Sequence, residues 1–491
     1  MKYNLPDLFK RYQVTGISFD SRLVKRGDVF FAIKGEKFDG NQFIEEAFKS
    51  GAVLAFTDRE EYSNSLVLYA HNIREVLADA AGLFYPKLPQ YVIAVTGTNG
   101  KSSVVSYCQQ IISRLGKNAA CLGTLGVECS DLQIQKLFNE EKYQALTTAD
   151  IITLRQVLHN LATNNINYVA FEASSHGIDQ GRMLGIKAIS AGLTSFSQDH
   201  LDYHQTMDEY LKAKLKLFLE NLIPNSIAVI NKDIQEFKII QDYLNENSIS
   251  YITVGSNRLS SKLTSMDVTI EETKQSIFGQ KIIFSHLGKN YHYSTEIIGS
   301  YQASNMLIAA MLVYHTGFNF DDIYQTLPKL KAVRGRLQRV TESKSSFHIF
   351  VDYAHTPGAL ENSLKELRKM KQAGSNLKVI FGCGGNRDST KRSKMGEVAE
   401  RYADFIVITD DNPRNEDAGH IRKEILAGCA SDRTIEIAGR KEAIYEIVTG
   451  LEDGDILLVA GKGHENYQII GDKRIFFDDV VMVAQALKER R

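Results

Sequence analysis

The chain has 491 residues, with 58 basic and 59 acidic side chains and a formal net charge of -1, and its length allows about three domains of typical size. This balanced charge argues against a protein dedicated to nucleic acid or to membrane surfaces, because such proteins carry a basic excess. The first residues lack the apolar core of a signal peptide, no apolar run is long enough for a membrane span, and the five cysteines form no CxxC pair, so we expect a cytoplasmic protein with reduced thiols.

The first block, residues 1–88, has the pattern of a small α/β domain. Apolar runs predict strands at 28–34 and 52–56. Apolar residues at helical spacing predict helices at 43–50 and 73–85.

The second block opens on the strongest local signal in the chain. A strand predicted at 91–95 runs directly into a glycine-containing loop and then a helix, which is the order found in phosphate-binding sites. Backbone N–H groups of the loop can face an anion, the lysine can neutralise it and the first serine can hold a metal ion. The loop residues are Gly97, Thr98, Asn99, Gly100, Lys101, Ser102 and Ser103. The general pattern has a further glycine where this chain has Val95, so a simple glycine turn before a helix is the alternative.

Other segments of this block carry residue types that ligate metals or anions. Glu172 ends a predicted strand, where a carboxylate commonly meets nucleotide-bound magnesium, although a solvent-facing acid is the alternative. Asp199-His-Leu-Asp-Tyr-His204 places two acids and two imidazoles in six residues, which favours metal or phosphate contact. Ser174, Gln180 and Arg182 have side chains that suit a sugar, phosphate or carboxylate, and a capped helix start is the other interpretation.

The helix predicted at 207–221 carries Lys212, Lys214 and Lys216. Lysines in such a pattern usually form a solvated face. Lys214 lies beside apolar positions and is the candidate for an inward-facing amine, since a buried lysine loses its charge readily and becomes nucleophilic.

Strands are also predicted at 189–194 and 227–231, antiparallel strands within 265–298 and a helix at 304–314. From about residue 333 the chain alternates strand and helix, which predicts a mostly parallel, doubly wound sheet. Four polar or glycine-rich segments follow its strands at 347–351, 379–381, 405–409 and 456–459, namely Asp352-Tyr-Ala-His355, Gly382-Cys-Gly-Gly-Asn-Arg387, Asp411-Asn-Pro-Arg414 and Gly461-Lys-Gly-His-Glu465. Because the carboxyl ends of parallel strands share one edge, we expect these segments to form one site.

These motifs together resemble the Mur ligases. The resemblance rests on the loop at 96–103, Glu172-Ala-Ser-Ser-His176, the 199–204 segment, Asp352-Tyr-Ala-His-Thr-Pro357 and Gly461–Glu465, and it extends over essentially the whole chain. It implies an α/β fold of three domains: a small N-terminal UDP-binding domain over 1–88, a central P-loop ATPase domain with a mostly parallel sheet over 89–333, and a C-terminal Rossmann-like amino-acid-binding domain over 334–491. It also implies ATP-dependent amide ligation in peptidoglycan precursor synthesis, with Mg²⁺ as cofactor and ATP as co-substrate. We expect a monomer without nucleic-acid or membrane partners.

The resemblance further implies roles for individual residues. Lys101, Lys214, Glu172 and His200 are expected to act in catalysis, with Lys214 carbamylated by carbon dioxide and with Ser102, Glu172 and His200 facing the magnesium ion. The ATP site is expected to include the phosphate loop together with Asn305, Arg336, Asp352 and His355. The residues expected to bind the UDP-linked muramoyl dipeptide are Phe19, Ser21, the turn at 36–38, Thr147, Thr148, Ser174, Gln180 and Arg182.

The amino acid that is added is expected to be read by Asp411, Asn412, Pro413 and Arg414, completed by Arg387, Gly461 and Glu465. An arginine can donate two N–H bonds to a carboxylate, and meso-diaminopimelate has a carboxylate at its far end whereas lysine has none. In this family the Arg-containing motif accompanies meso-diaminopimelate, so the expected substrates are UDP-MurNAc-L-Ala-D-Glu, meso-diaminopimelate and ATP. The alternatives are a surface role for Arg414, a lysine-adding or folylpolyglutamate-type ligase, and a non-catalytic nucleotide-binding protein.

Three positions depart from the family pattern. Leu146 replaces an asparagine before the two threonines, Ala149 replaces a proline after them, and Gln302 replaces another asparagine. None of the three removes a group that the chemistry needs.

Overall fold

The computed structural model describes residues 3–35, 38–138, 147–256, 267–342, 345–430 and 432–490, except for the side chain of Asp202. Glu36, Lys37 and Leu146, which the sequence analysis singled out, lie outside the described residues. The chain divides into two compact units, Met1–Val254 with Leu307–Thr326 and Gly255–Met306 with Leu327–Arg491. The domain boundaries predicted after residues 88 and 333 stay predictions.

The N-terminal part of the first unit is built on a four-stranded parallel sheet in the order β1-β2-β3-β4. Its elements are α1 (Leu5–Arg11), β1 (Gly16–Ser18), β2 (Asp28–Ala32), α2 (Ile44–Lys49), β3 (Leu54–Thr57), β4 (Val67–Tyr69) and α3 (Ile73–Phe84). Every residue of β2 and β3 is buried, which is why their apolar runs were readable as strands. The two predicted strands and two predicted helices are confirmed, and α1, capped by Asn4, was not predicted.

A second, larger sheet follows in the same unit, with strand order β7-β6-β8-β5-β9-β10-β11. The pairings of β5 with β8 and β9, of β6 with β8 and of β10 with β9 and β11 are parallel, and β7 joins the edge antiparallel to β6. The elements are β5 (Tyr91–Thr96), α4 (Lys101–Arg114), β6 (Ala119–Gly123), β7 (Gly126–Cys129), α5 (Leu132–Leu137), α6 (Ile151–Thr163), β8 (Tyr168–Glu172), α7 (Ser175–Asp179), β9 (Ala188–Leu193), α8 (Leu201–His204), α9 (Met207–Glu220), β10 (Leu222–Asn231), α10 (Phe237–Glu246) and β11 (Tyr251–Ser256). The central position of β5 places the glycine loop between the carboxyl ends of β8 and β9.

Three antiparallel strands and two helices come next along the chain: β12 (Val268–Ser276), β13 (Gly279–His286), β14 (Lys289–Thr295), α11 (Ser300–Tyr314) and α12 (Phe320–Thr326). The antiparallel prediction for this region is confirmed. The helix predicted to begin at 304 begins at Ser300, because the carboxylate of Glu366 accepts hydrogen bonds from the Ser300 backbone N–H (2.8 Å) and hydroxyl (3.0 Å) and so satisfies its first turn.

The C-terminal sheet has the strand order β15-β16-β20-β17-β18-β19, parallel throughout except for β15. Its elements are β15 (Gln338–Arg339), β16 (His348–Asp352), α13 (Pro357–Met370), β17 (Leu377–Phe381), α14 (Lys391–Tyr402), β18 (Phe405–Ile408), α15 (Ala418–Leu426), β19 (Thr434–Glu436), α16 (Arg440–Thr449), β20 (Ile456–Ala460), the hairpin β21 (Tyr467–Ile470) and β22 (Lys473–Phe476), and α17 (Asp479–Glu489). Apolar cores lie on both faces of the sheet, as a doubly wound fold requires. The predicted α/β architecture is confirmed.

Two composition-based expectations have structural counterparts. All five cysteines are free thiols, four of them buried and Cys429 half-buried. In the parts of the chain that the structure describes, no helix combines the length and apolarity needed to cross a membrane.

Candidate active site

The glycine loop after β5 has a fixed shape. Gly97 and Gly100 have φ angles of +147° and +87°, and a Cβ atom on Gly97 would lie 2.0 Å from Thr194 Oγ1. The segment after β9 braces the loop: Thr194 Oγ1 donates to the Asn99 carbonyl (2.5 Å), and Ser195 Oγ accepts from the Asn99 N–H (2.9 Å). The loop is therefore a preformed turn at a helix start, which is the geometry that binds phosphate.

The charged and hydroxyl groups of the loop lie where the sequence predicts them. Lys101 begins α4, and its Nζ donates to the carbonyls of Gly97 (2.8 Å) and Thr98 (2.9 Å). Ser102 and Ser103 are buried in the first turn of the same helix. A cationic group and two hydroxyls thus line one anion-binding turn.

Glu172 ends β8, next to β5 in the sheet, and its side chain is held in place. Its two carboxylate oxygens accept hydrogen bonds from the Thr124 N–H (2.9 Å) and hydroxyl (3.3 Å). With only 2% of its surface exposed, it is not a solvent-facing acid. Gly123 makes this position possible, since a Cβ atom there would lie 2.0 Å from Glu172 Oε1. The sequence analysis missed Gly123 and Thr124; a glycine and a threonine directly after a strand were the only signal.

The residues expected to hold the dipeptide are linked to one another beside Glu172. Thr148 Oγ1 donates to the Glu172 carbonyl (2.8 Å) and accepts from the Ser174 N–H (2.9 Å). Arg182 donates to the Thr148 carbonyl (2.8 Å) and to Gln180 Oε1 (2.7 Å). The hydroxyl of Thr147 lies 3.2 Å from that of Thr124. Ser174 is the N-cap of α7, which confirms the capped helix start, and its contact with the dipeptide stays a prediction.

Phe19 and Ser21 lie apart from this network along the chain. Asp20 caps the short helical turn Ser21–Leu23, which buries Ser21, while Phe19 is 39% exposed. Their predicted contact with the uridine nucleotide stays a prediction.

His200 begins α8 in the left-handed region, with a φ angle of +54°. Its ring lies 4.7 Å from the ring of His176, and its Nε2 lies 3.5 Å from Asp199 Oδ2. Partial burial lowers the pKa of His200 to about 4; the Asp199 carboxylate opposes this shift, while His176 and the positive charge of Lys101 add to it. The imidazole is therefore neutral at pH 7 and has a nitrogen lone pair to offer to a cation.

Lys214 is the one lysine of the three on α9 that faces inward. It is 1% exposed, whereas Lys212 pairs with Asp208 and Lys216 pairs with Asp179 at the surface. Its Nζ lies 4.3 Å above the ring of Tyr210, whose hydroxyl is 3.2 Å from Thr98 Oγ1. Burial, and then the charge of Lys101, lowers the pKa of Lys214 well below its ordinary value, which favours the neutral, nucleophilic form of the amine.

Of the three donors expected to face magnesium, the carboxylate and the hydroxyl suit a hard cation, whereas an imidazole is an unusual magnesium ligand. Glu172 supplies a held carboxylate, Ser102 a hydroxyl and His200 a neutral imidazole. Within the described residues, no group of three or more His, Cys, Asp or Glu side chains forms a closed metal cage.

In the second unit, two side chains of the predicted nucleotide set lie against the ring of Tyr353. The Arg336 guanidinium lies 4.8 Å from its ring centre and the His355 ring 4.4 Å from it. Asp352 is buried and accepts from the Ala354 N–H (2.9 Å) and the Ser363 hydroxyl (3.1 Å), so it shapes its own loop. Asn305 is buried on α11 and donates to Gln302 Oε1 (3.1 Å), which shows how the glutamine at that position is used.

The segments after β17, β18 and β20 meet at the carboxyl edge of the C-terminal sheet, as predicted. Asn412 Nδ2 donates to Glu465 Oε2 (2.9 Å), and a Cβ atom on Gly461 would lie 3.1 Å from Asp411 Oδ2. Arg414, after Pro413, has a φ angle of +53° and its Nη1 donates to the Gly385 carbonyl (2.9 Å). Arg387 is exposed on the neighbouring loop. The edge thus combines carboxylates with guanidinium groups, which suits a zwitterionic ligand.

Comparison with known proteins finds Mur ligase domains along most of the chain. Residues 13–92 match the Mur ligase family catalytic domain, residues 95–313 the Mur ligase middle domain and residues 335–463 the Mur ligase glutamate ligase domain. The chain is 50% identical over 489 residues to UDP-N-acetylmuramoyl-L-alanyl-D-glutamate--2,6-diaminopimelate ligase of Rickettsia montanensis, covering 99% of each chain. It is 41% identical over 491 residues to the protein of that name from Zymomonas mobilis, covering 99% of this chain and 97% of the relative.

Solved structures show the same likeness. A solved structure of a UDP-N-acetylmuramoyl-L-alanyl-D-glutamate--2,6-diaminopimelate ligase superimposes on this chain with a TM-score of 0.68. The two are 30% identical, and the match covers 97% of this chain and 95% of the other. A folylpolyglutamate synthase from Mycobacterium tuberculosis superimposes with a TM-score of 0.61 at 17% identity, covering 85% of this chain and 95% of the other, which is a likeness of fold alone.

Proposed function

Because this chain belongs to the Mur ligase family, we propose that it is the ATP-dependent ligase that adds meso-diaminopimelate to UDP-MurNAc-L-Ala-D-Glu in peptidoglycan precursor synthesis. The observation that carries the proposal is the full-length identity to relatives named for this reaction, together with an amino-acid edge in which Asp411, Asn412 and Glu465 lie near Arg414. The substrates are nucleotide-linked metabolites, so the proposal includes a cytoplasmic location.

The reaction proposed is acyl-phosphate chemistry. An oxygen of the D-glutamate side-chain carboxylate attacks the terminal phosphorus of ATP, the bond to the bridging oxygen breaks and ADP leaves. The amine of diaminopimelate then attacks the acyl carbon, loses a proton, and phosphate departs with one of the original carboxylate oxygens. The product is an amide.

The residues of the phosphate loop supply binding and charge neutralisation for the first step. The N–H groups of Gly97 to Gly100 and the Nζ of Lys101 hold the terminal phosphates, so that positioning and electrostatics lower the barrier. Ser102, Glu172 and His200 would hold Mg²⁺, which when bound neutralises charge on the phosphates. The assignment is supported by the fixed loop shape and by the held carboxylate of Glu172.

Lys214 is proposed to carry a carbamate. Its buried, neutral amine attacks carbon dioxide, forming an N–C bond and releasing a proton, and the resulting anion lies where Tyr210 and Thr98 connect α9 to the phosphate loop. Such an anion would steady the cationic groups around the transferring phosphoryl group.

Each of the three predicted domains is proposed to bind a different part of the substrates. Residues 1–88, with Phe19 and Ser21, would bind the UDP moiety, and residues 89–333 would bind ATP with Thr147, Thr148, Ser174, Gln180 and Arg182 on the dipeptide. Residues 334–491 would bind diaminopimelate. Asn305 of the central domain, and Arg336, Asp352 and His355 of the C-terminal domain, are proposed to contact the nucleotide. In the amino-acid site Arg414 would bind the far carboxylate through two N–H bonds, with Arg387 beside it, while Glu465 would pair with the ammonium group.

A phosphate-release assay with purified protein, ATP, Mg²⁺ and UDP-MurNAc-L-Ala-D-Glu tests this proposal. Release that depends on meso-diaminopimelate and is much weaker with lysine is the expected result. Equal rates with lysine contradict the substrate assignment, and release that is indifferent to the muramoyl dipeptide favours a nucleotide-hydrolysing protein instead.

A variant sharpens the test of substrate choice. Arg414→Ala should raise the KM for meso-diaminopimelate by about 10- to 100-fold, because a charged hydrogen bond is worth about 1.5–3 kcal/mol, and should leave the KM for ATP unchanged. The matched control is Arg474→Ala, which removes an arginine from the nearby hairpin. An unaffected KM in the Arg414 variant refutes its assignment to the substrate carboxylate.

A further inference from the structure

Lys462 lies in the middle of the proposed amino-acid site, within the Gly461–Glu465 segment, but the sequence analysis assigned it no role of its own. It follows β20 between Gly461 and Gly463, whose φ angles are +112° and +55°, and these two turns direct the chain inward. Its side chain is 0% exposed, which is rare for a lysine without partners. A fully buried lysine is normally paired with polar or acidic groups, and Lys462 has such partners.

The ammonium group of Lys462 contacts the recognition residues. Its Nζ lies 3.1 Å from Glu465 Oε2, 3.2 Å from Asn412 Oδ1 and 3.6 Å from Asp411 Oδ1. Asn412 Nδ2 donates to the same oxygen of Glu465 at 2.9 Å. One oxygen of Glu465 is thus fixed by two donors, and no hydrogen bond within the described residues engages the other.

Asp411 gives a second, independent indication of an incomplete site. It is 6% exposed, and its Oδ1 atom has no hydrogen-bond partner among the described residues. A buried carboxylate in that state is costly unless a cation completes its surroundings. Lys462 does so only partly, since 3.6 Å is longer than a hydrogen bond.

Another buried cation near the site, Arg440, is paired with a different carboxylate. Arg440 is buried and donates to both oxygens of Asp479, at 2.8 and 2.7 Å, and to the Ala460 carbonyl. Lys462 is therefore the buried cation that lies within 4 Å of both Asp411 and Glu465, and it offsets one of their two negative charges. A substrate ammonium group supplies the charge that is missing.

We propose that Lys462 is a positioning residue for the incoming amino acid, which fixes Glu465 and Asn412 and offsets one of the two carboxylate charges so that the site accepts one ammonium group. This inference rests on the proposed function. Without Lys462, Glu465 loses one of its two donors, and the two carboxylates lose the buried cation that lies near both of them. Such a pair does not stay fully ionised and oriented.

A double-mutant cycle on the full chain tests this role. Lys462→Met should raise the KM for meso-diaminopimelate by about 10- to 100-fold, the range expected for losing a charged hydrogen bond, and leave the KM for ATP unchanged. Because Lys462 acts through Glu465, the Lys462→Met/Glu465→Gln double variant should be no worse than Glu465→Gln alone. Lys473→Met, at an exposed lysine of β22, is the control.

The outcomes separate the possibilities. An unchanged KM for diaminopimelate in Lys462→Met, or effects of the two substitutions that multiply independently, overturns the inference. If Lys462→Met does not fold, as judged by its melting temperature, Lys462→Gln takes its place in the same cycle, since its amide still donates to Glu465 and an intermediate KM is expected. A wild-type protein that shows no diaminopimelate-dependent turnover contradicts the proposed function rather than this role of Lys462.

Discussion

Lys214 offers a test in which stability and activity change in opposite directions. Within the described residues the buried amino group of Lys214 has neither a hydrogen bond nor an ion pair, and it contacts the Tyr210 ring at 4.3 Å. Lys214→Met keeps a side chain of similar length and removes the amine. In the absence of carbon dioxide the Lys214→Met variant should therefore be more stable than the wild type. Its ligase activity should be lost, because it cannot form the carbamate.

The size of the effect follows from the cost of an unsatisfied buried polar group, about 1–3 kcal/mol. We expect Lys214→Met to raise the free energy of unfolding by about that amount at pH 7 in bicarbonate-free buffer. The pKa of Lys214 is lowered in the folded state, so the unfolded chain binds more protons between the folded and unfolded pKa values. Stability of the wild type therefore rises with pH through this window, and the advantage of the variant shrinks from pH 7 to pH 9.

Denaturant unfolding of both proteins at pH 7 and pH 9, with and without bicarbonate, measures this. Bicarbonate should stabilise the wild type and leave Lys214→Met unchanged. Lys212→Met, at the exposed lysine one half-turn away, is the control and should show neither effect. A Lys214→Met protein that is less stable than the wild type in bicarbonate-free buffer at pH 7 refutes the reasoning.

Three other substitutions test the packing around the site. Gly123→Ala places a Cβ atom 2.0 Å from Glu172 Oε1, so it should displace the carboxylate and lower kcat with little change in the melting temperature. Arg440→Met leaves the fully buried Asp479 unpaired and should lower the free energy of unfolding by about 3–5 kcal/mol, measured in urea, with most of the loss recovered by adding Asp479→Leu. Thr148→Val removes bonds to the backbone at 172 and 174, which should cost about 1–3 kcal/mol in the same urea experiment; an unchanged unfolding midpoint contradicts it.

Much of the architecture was predictable because local patterns agree with the fold. The sequence predicts a strand at 91–95, then a glycine loop and a helix, and the structure has β5, the loop and α4 at these positions. The four segments at the carboxyl edge of the C-terminal sheet were predicted from strand alternation alone. Lys214 was identified as inward-facing from its apolar neighbours, and the structure buries it.

The contacts that hold the site together were not predictable, because they join residues far apart in the chain. Thr124 holds Glu172 across 48 positions, and Lys462 reaches Asn412 across 50. Neither pair has a local pattern: the sequence placed Lys462 in a segment expected to form part of a site, but it did not indicate which residues the lysine would contact. The three-residue strands β1, β4 and β19 are too short to show alternation.

The most direct test of the central claim follows the oxygen atoms. UDP-MurNAc-L-Ala-D-Glu labelled with ¹⁸O in the D-glutamate side-chain carboxylate is incubated with the protein, ATP, Mg²⁺ and meso-diaminopimelate, and both products are analysed by mass spectrometry. The acyl-phosphate route predicts an amide product heavier by one diaminopimelate less one water, and one ¹⁸O in the released phosphate. Unlabelled phosphate, or phosphate release without the amide, contradicts it.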